Sequence, residues 1–347
     1  RLTLSGSAHL YSEDRLTVTD PGGITISTDS SITGGDIRGW DSYPWPVGTQ
    51  VNLIGDQMLG SLVVSDWSLS IDGALSLVND LSVAGINTVV EATRIDVGGN
   101  ALLSGAKVIT PGFNVSGDLT LLDGAVVTVP DTTSTTFTPL DLSVTGTLSL
   151  INGSSVDVTG KGYPQGKTHN FKTATTNGAG SLGGSHAGEG GFTFGQTVAP
   201  AYGDYLHAGE AGGGGYSRSS VTGSLTISGT AGGGAVSISA GRLSLTDSDI
   251  LANGGAPDIT IQRQATGAGG SIVVDVGTLD GTALSRIRAD GGGDISHFAQ
   301  GVGAGGRVSV IYADMSAYLG GLSATGGLST QSTSVSNSGF NGIAGDV

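Results

Sequence analysis

Five aspartates, Asp72, Asp80, Asp96, Asp118 and Asp123, are the densest set of groups in this chain able to do acid/base work. Cleaving a glycosidic bond needs two carboxylates held ~5 to 9 Å apart. If such acids stand at matched positions of strands stacked ~4.8 Å apart, that spacing is met. Most of the five, however, sit beside Gly or Asn, where Asp is favoured because its side chain hydrogen-bonds its own backbone. Trp40, Tyr43 and Trp45, with Asp41 among them, form the one aromatic group. They offer rings on which a sugar or a partner protein could stack, or a lid for the open apolar end of a repeat array. The five histidines, His9, His169, His186, His207 and His297, are scattered with no pair at metal-ligand spacing. Calcium-binding repeats align an aspartate in every turn. Here Asp157 aligns with Leu251, Arg288 and Ser323, so only isolated calcium at individual turns is expected, with no other cofactor.

Several glycine motifs mimic catalytic signatures. Gly178, Gly180 and Gly183, and again Gly301, Gly303 and Gly306, satisfy G-x-G-x-x-G, but neither lies between a strand and an amphipathic helix. The stretch 162–168 (GYPQGKT) has Lys161 where a phosphate loop needs Gly, and 183–188 (GGSHAG) has Ala187 where a nucleophile elbow needs Gly. Structural glycine explains all of them.

The elements that would position these residues follow from composition and repeats. The 347 residues include 63 Gly, 9 Pro and no Cys, and 12% are charged. An ordinary globular enzyme carries about 25% charged residues and about 7% Gly. Recurrent Val, Ile and Leu triplets exclude a disordered chain, and glycines off any three-residue period exclude collagen. The net charge of −15 argues against nucleic acid or an anionic membrane as partner. Absence of Cys removes thiolate chemistry, and no run of ~18 apolar residues suggests membrane insertion. The chain opens on Arg1, as expected of a segment of a longer or processed protein.

Gly233, Gly269 and Gly305 open three copies of one phrase, GGAVSIS, GGSIVVD and GGRVSVI, at steps of 36 residues. Leu243, Leu279 and Met315 keep the same step; Ile250, Ile287 and Leu322 follow, then Ala252, Ala289 and Ala324. In the first half, 115–129 matches 144–158 over fifteen positions, Val97 stands 18 residues before Val115, and 71–77 (IDGALSL) reads as another copy of the same opening. Apolar residues alternate within each phrase, as strands with one inward face require. Strands of three to five residues repeating every ~18 or ~36 residues predict an all-β parallel β-helix, or β-solenoid, rather than a sandwich of hairpins. Of the 63 glycines, 19 precede residue 160 and 44 lie from there on. The reading is therefore irregular N-terminal coils with the aromatic cap or insertion (1–60), regular coils (61–159), and a glycine-rich solenoid (160–347). Its glycine-rich lateral loops leave each 36-residue unit at one point and should lie against one another.

The phrases at 183–191, 201–215, 232–239, 267–276 and 303–312, closed by stretches like 250–255 (ILANGG), resemble a recurrent glycine-rich β-helix segment of very large bacterial secreted or cell-surface proteins, adhesin-like chains and RHS-repeat, toxin-like giants. The resemblance covers about residues 140–347. It implies an extracellular, non-catalytic structural or adhesive scaffold, a stalk or filament-forming module, associating with itself or with neighbouring domains of the same protein. The alternative is a carbohydrate-binding or carbohydrate-cleaving β-helix that meets surface glycans.

Overall fold

The computed structural model describes residues 2–4, 9–17, 24–26, 31–38, 45, 47–174, 180–192, 197–204, 209–221, 224–258, 264–293 and 301–327. The protein is all-β, dominated by one large sheet whose pairings are parallel. Three ladders make up most of that sheet, which also pairs 15–17 with 36–38. Ladder A passes through 57–59, 75–77, 95–97, 113–115, 142–144, 238–240, 274–276 and 310–312. Ladder B passes through 62–65, 81–84, 101–104, 119–122, 148–151, 243–246 and 279–281. Ladder C joins eleven strands, from His9–Ser12 at one end to Gly321–Ser323 at the other.

The register is the one the repeats predict. Ala235 pairs with Ser271 and Ser271 with Arg307, two steps of 36, and Leu243 pairs with Leu279. Ile250 pairs with Ile287 and Ile287 with Leu322. Val97 pairs with Val115 and Val115 with Val144. The phrase at 71–77 is placed differently: Leu77, not Ile71, stands in the Val97–Val115 column, and Ile71 pairs with Ala92. Both phrases bend at a glycine. Gly73 lies where the register shifts between Ala92 and Arg94, before ladder A, whereas Gly117 and Gly146 lie between ladders A and B. An apolar-Gly-apolar pattern alone does not distinguish the two bends.

Alternation decides which side is buried. Along 140–151, Leu140, Leu142, Val144, Leu148 and Leu150 point inward and are all 0 to 2% exposed. Residues from all three ladders form one continuous apolar cluster from Trp45 to Ala324, with Met315 packed at its edge. Burying each aliphatic side chain contributes about 1.5 to 3 kcal/mol, offset by the entropy of ordering it. After ladder B the chain turns through left-handed residues that only Gly, Asn or Asp take at small cost. Asp123 and Gly124 (φ 56° and 78°) and Asn152 and Gly153 (φ 55° and 75°) occupy equivalent corners. Buried serines brace the next corners: Ser154, Ser248 and Ser285 each donate to a carbonyl of the neighbouring strand, on Leu121, Leu150 and Leu245. The sheet is continuous across residue 160, because 140–151 pairs directly with 236–246 although some 95 residues separate them.

Candidate functional site

From residue 57 onward the long interruptions of the ladders fall between ladder C and the next strand of ladder A: 130–139, 159–234, 253–270 and 290–306. The glycine-rich parts of these segments lie against one another and exchange main-chain hydrogen bonds. Gly233 N–H donates to the Ala268 carbonyl, Gly269 N–H to Ala304, Gly212 N–H to Gly233 and Ala268 N–H to Gly213. Residues three apart address the same neighbour. Gly212 and Gly215 both donate to the 230–233 segment, Thr230 and Gly233 to 265–268, and Thr266 and Gly269 to 301–304. A threefold extended backbone of the polyproline II type presents its amides this way.

Glycine is needed here for its missing side chain. A Cβ on Gly233 would stand far inside contact distance of the Ala252 carbonyl, and one on Gly269 would do the same to the carbonyl of Ala289, the repeat equivalent of Ala252. Left-handed φ is not the reason at either position, since neither is among the residues with positive φ.

This layer absorbs the motif mimics. Gly162, Tyr163 and Gly166 donate to the carbonyls of Gly232, Gly212 and Gly215, so those N–H groups do not cradle a phosphate. Gly303 N–H meets the Thr266 hydroxyl and Gly306 N–H the Ala289 carbonyl. Ser185 is 1% exposed and its hydroxyl donates to the Ala199 carbonyl. His186, fully buried, has Nδ1 2.9 Å from the Gly269 carbonyl, which can only accept, so Nδ1 carries the proton. Its Nε2 is 3.4 Å from Ser271 Oγ, whose own proton goes to the Glu210 carbonyl at 2.7 Å. A serine beside a histidine is a nucleophile's arrangement, but both are shut from solvent and serve to bind segments 180–192, 209–215 and 264–271 together. Sequence reading missed this cluster, since its members lie up to 85 residues apart.

Beside it, Tyr202 packs among His169 (ring centroids 4.8 Å, stacked), His186 and Tyr163. His169 Nε2 lies 3.3 Å from Glu210. Desolvation, reinforced by Tyr163 and Glu210, pushes the Tyr202 hydroxyl well above its ordinary range; burial also raises Tyr163, and burial with Asp249 nearby raises Tyr318 to about 12. A tyrosine whose folded value exceeds its unfolded value of about 10 contributes stability that is whole below pH ~10 and is lost as pH rises towards 12. Denaturant midpoints are therefore expected to stay level up to pH ~10 and then fall, tyrosinate absorbance rising together with unfolding.

The aspartates are distributed along the surface rather than gathered. Asp80 Oδ1 accepts from Asn100 N–H, Asn100 Oδ1 from Asp118 N–H, and Asp118 Oδ1 from Thr147 N–H, so each side chain ties one strand bend to the next. Asp118→Asn keeps that acceptor and is expected to change stability by less than about 0.5 kcal/mol. Asp118→Ala orphans it and is expected to cost about 1 kcal/mol in urea unfolding. Asp96 is held by Arg94 and Asn114, and Asp123 occupies its left-handed corner. Asp72 faces a groove, with Glu91, Thr93, Pro111 and Pro130 around it. Trp40 and Tyr43 lie outside the described residues, as do His207 and His297. Trp45 is 6% exposed, its ring 6.0 Å from that of Trp67 in the apolar cluster, so it offers no open face to a ligand. Among the described residues no three His, Asp or Glu side chains converge as metal ligands would.

Compared with protein-family models, with curated proteins and with solved structures, the chain matches none.

Proposed function

We propose that the three ladders are the sides of a parallel β-solenoid, three strands to a coil, and that the chain is a structural module of a large secreted or cell-surface protein. In this reading stiffness and length are the function. Eleven strands of ladder C at ~4.8 Å spacing give a stack roughly 50 Å long. The observation that carries the reading is the glycine layer. Its hydrogen bonds join segments 160–170, 183–191, 212–215, 230–234, 264–270 and 301–306 into a brace along one side of the stack, so most main-chain polar groups there are committed to holding the body rigid.

The Asp72–Glu91 groove supports the second reading, a β-helix that binds or cleaves carbohydrate. One experiment separates the two. The scaffold reading expects electron micrographs of the purified chain, with and without calcium, to show particles of uniform width. It also expects a glycan array and a carbohydrate-cleavage screen to give no signal. A glycan bound or cleaved by the wild type, and no longer by Asp72→Asn with Glu91→Gln, would replace it with the second reading.

A further inference from the structure

Outward arginines elsewhere in the stack are held by an acid: Arg94 by Asp96, and Arg242 by Asp280 on the neighbouring strand. Arg286 and Arg288 differ. They stand two apart on one strand of ladder C, on the same side and roughly 6.6 Å from one another along the chain, with Ile287 between them pointing into the core. No other described strand carries two Lys or Arg. Among the described residues neither guanidinium makes an ion pair or a hydrogen bond. Both line a groove of about 300 Å³ together with Asp290, Gly321, Leu322 and Ser323. Ladder pairing sets Gly321 beside Arg286 and Ser323 beside Arg288. Nothing lies within 4 Å of a Cβ built on Gly321, so the space next to Arg286 is open. The two acids nearby are engaged elsewhere. Asp290 Oδ1 accepts from the Ser323 hydroxyl and from both the amide and the hydroxyl of Thr325. Asp249, across the ladder from Arg286, makes no ion pair among the described residues, and its charge bears on the Tyr318 hydroxyl.

We propose that Arg286 and Arg288 form a binding site for a single dianionic oxyanion, a sulfate or phosphate group. The scaffold reading neither requires this site nor is altered by it. Two unpaired positive charges are balanced by one dianion, and each guanidinium can aim two parallel N–H donors at a pair of its oxygens. A carboxylate carries half that charge and leaves one guanidinium unmatched. Asp249 on one side and Asp290 on the other confine the positive patch to two residues. A polyanion such as nucleic acid would meet those carboxylates and the −15 charge of the whole chain as well as the arginines. A lone anion meets only the arginines and the open space at Gly321. The site lies five strands of ladder C, roughly 24 Å, from Glu91, and is therefore distinct from the groove at Asp72.

Isothermal titration calorimetry at about pH 8, where phosphate is mostly dianionic, tests this, with sodium sulfate or phosphate replacing sodium chloride at constant ionic strength. Wild type is expected to bind one equivalent of either anion with Kd on the order of 1 mM, and acetate at least about tenfold more weakly. Arg286→Gln with Arg288→Gln is expected to weaken sulfate binding at least about tenfold, whereas Arg94→Gln, which removes the partner of Asp96, is expected to leave it unchanged. Gly321→Glu places a carboxylate beside Arg286 from within the chain and is expected to abolish binding. Circular dichroism confirms that all three variants fold. Glucose 6-phosphate separates the sources of the group: binding as tight as that of inorganic phosphate supports a group displayed on a larger molecule, and binding of the inorganic ion alone supports a free anion. A wild type that binds neither sulfate nor phosphate at about 20 mM overturns the proposal. So does acetate bound as tightly as sulfate, or sulfate binding that either the double arginine change or Gly321→Glu leaves intact. These results leave the scaffold reading standing, since it depends on the glycine layer and not on Arg286 or Arg288.

Discussion

Gly269→Ala is expected to destabilise the protein by roughly 3 kcal/mol or more, a large effect for a single methyl group. Overpacking an adaptable core costs about 1 to 3 kcal/mol, because neighbouring side chains can change rotamer. The neighbours of Gly269 are backbone: the new Cβ would meet the Ala289 carbonyl and the Gly306 amide, themselves joined by a hydrogen bond. Relief would require segments 264–270 and 301–306 to part, breaking the bond from Gly269 N–H to Ala304 as well. Gly233→Ala is expected to behave alike, for it faces the Ala252 carbonyl and the Gly270 amide in the same way one repeat earlier. Gly321→Ala is the control. Nothing lies within 4 Å of a Cβ there, and the change is expected to be neutral or to add about 0.5 kcal/mol. Denaturant unfolding of the three variants checks this; equal midpoints for Gly269→Ala and Gly321→Ala would mean that the glycine-rich segments do not pack as a layer.

Phe113→Ala is the second large effect, expected at about 3 to 5 kcal/mol. Phe113 is 0% exposed and stands in ladder A between Ile95 and Leu142. Strands on both sides hold it by main-chain pairing, so the cavity left by the ring cannot collapse without breaking register. Phe113→Leu keeps most of the volume and is expected to cost under about 2 kcal/mol. A loss for Phe113→Ala near 1 kcal/mol, read from urea unfolding, would mean that the interior around 113 adapts far more freely than a ladder pinned on both edges allows.

Much of the strand register was legible because the repeats are. Where a unit recurs at 36 residues, as from Gly233 to Gly269 to Gly305, spacing alone places Ala235 on Ser271 and Ser271 on Arg307. Register failed where two bends share a pattern. The glycine in 71–77 marks the bend before ladder A, and the glycines at 117 and 146 mark the one after it. The lateral packing of the glycine-rich segments was also expected, but not its threefold exchange of amides, since glycine carries no side-chain pattern to read. The His186–Ser271–Tyr202 cluster was illegible for a related reason: two of its residues come from the long 159–234 excursion and the third stands at the end of the next, and the lengths of these excursions follow no period. The candidate acids were visible as residues but not as ties. That Asp118 holds Thr147 N–H depends on which bend stacks on which, 29 residues away.

The chain contains no cysteine, so a pair of introduced thiols reports its stacking without background. Ser143 and Ser239 are 96 residues apart in sequence and directly paired in ladder A, across the whole 159–234 insertion. Ser143→Cys with Ser239→Cys is predicted to cross-link rapidly in the folded protein under mild oxidation or with a short thiol cross-linker, and not in denaturant. Ser143→Cys with Ser244→Cys, which places the second thiol on ladder B, is predicted to stay reduced. Failure of the first pair to link, or equal yields from the two, would contradict the parallel stacking on which the account stands.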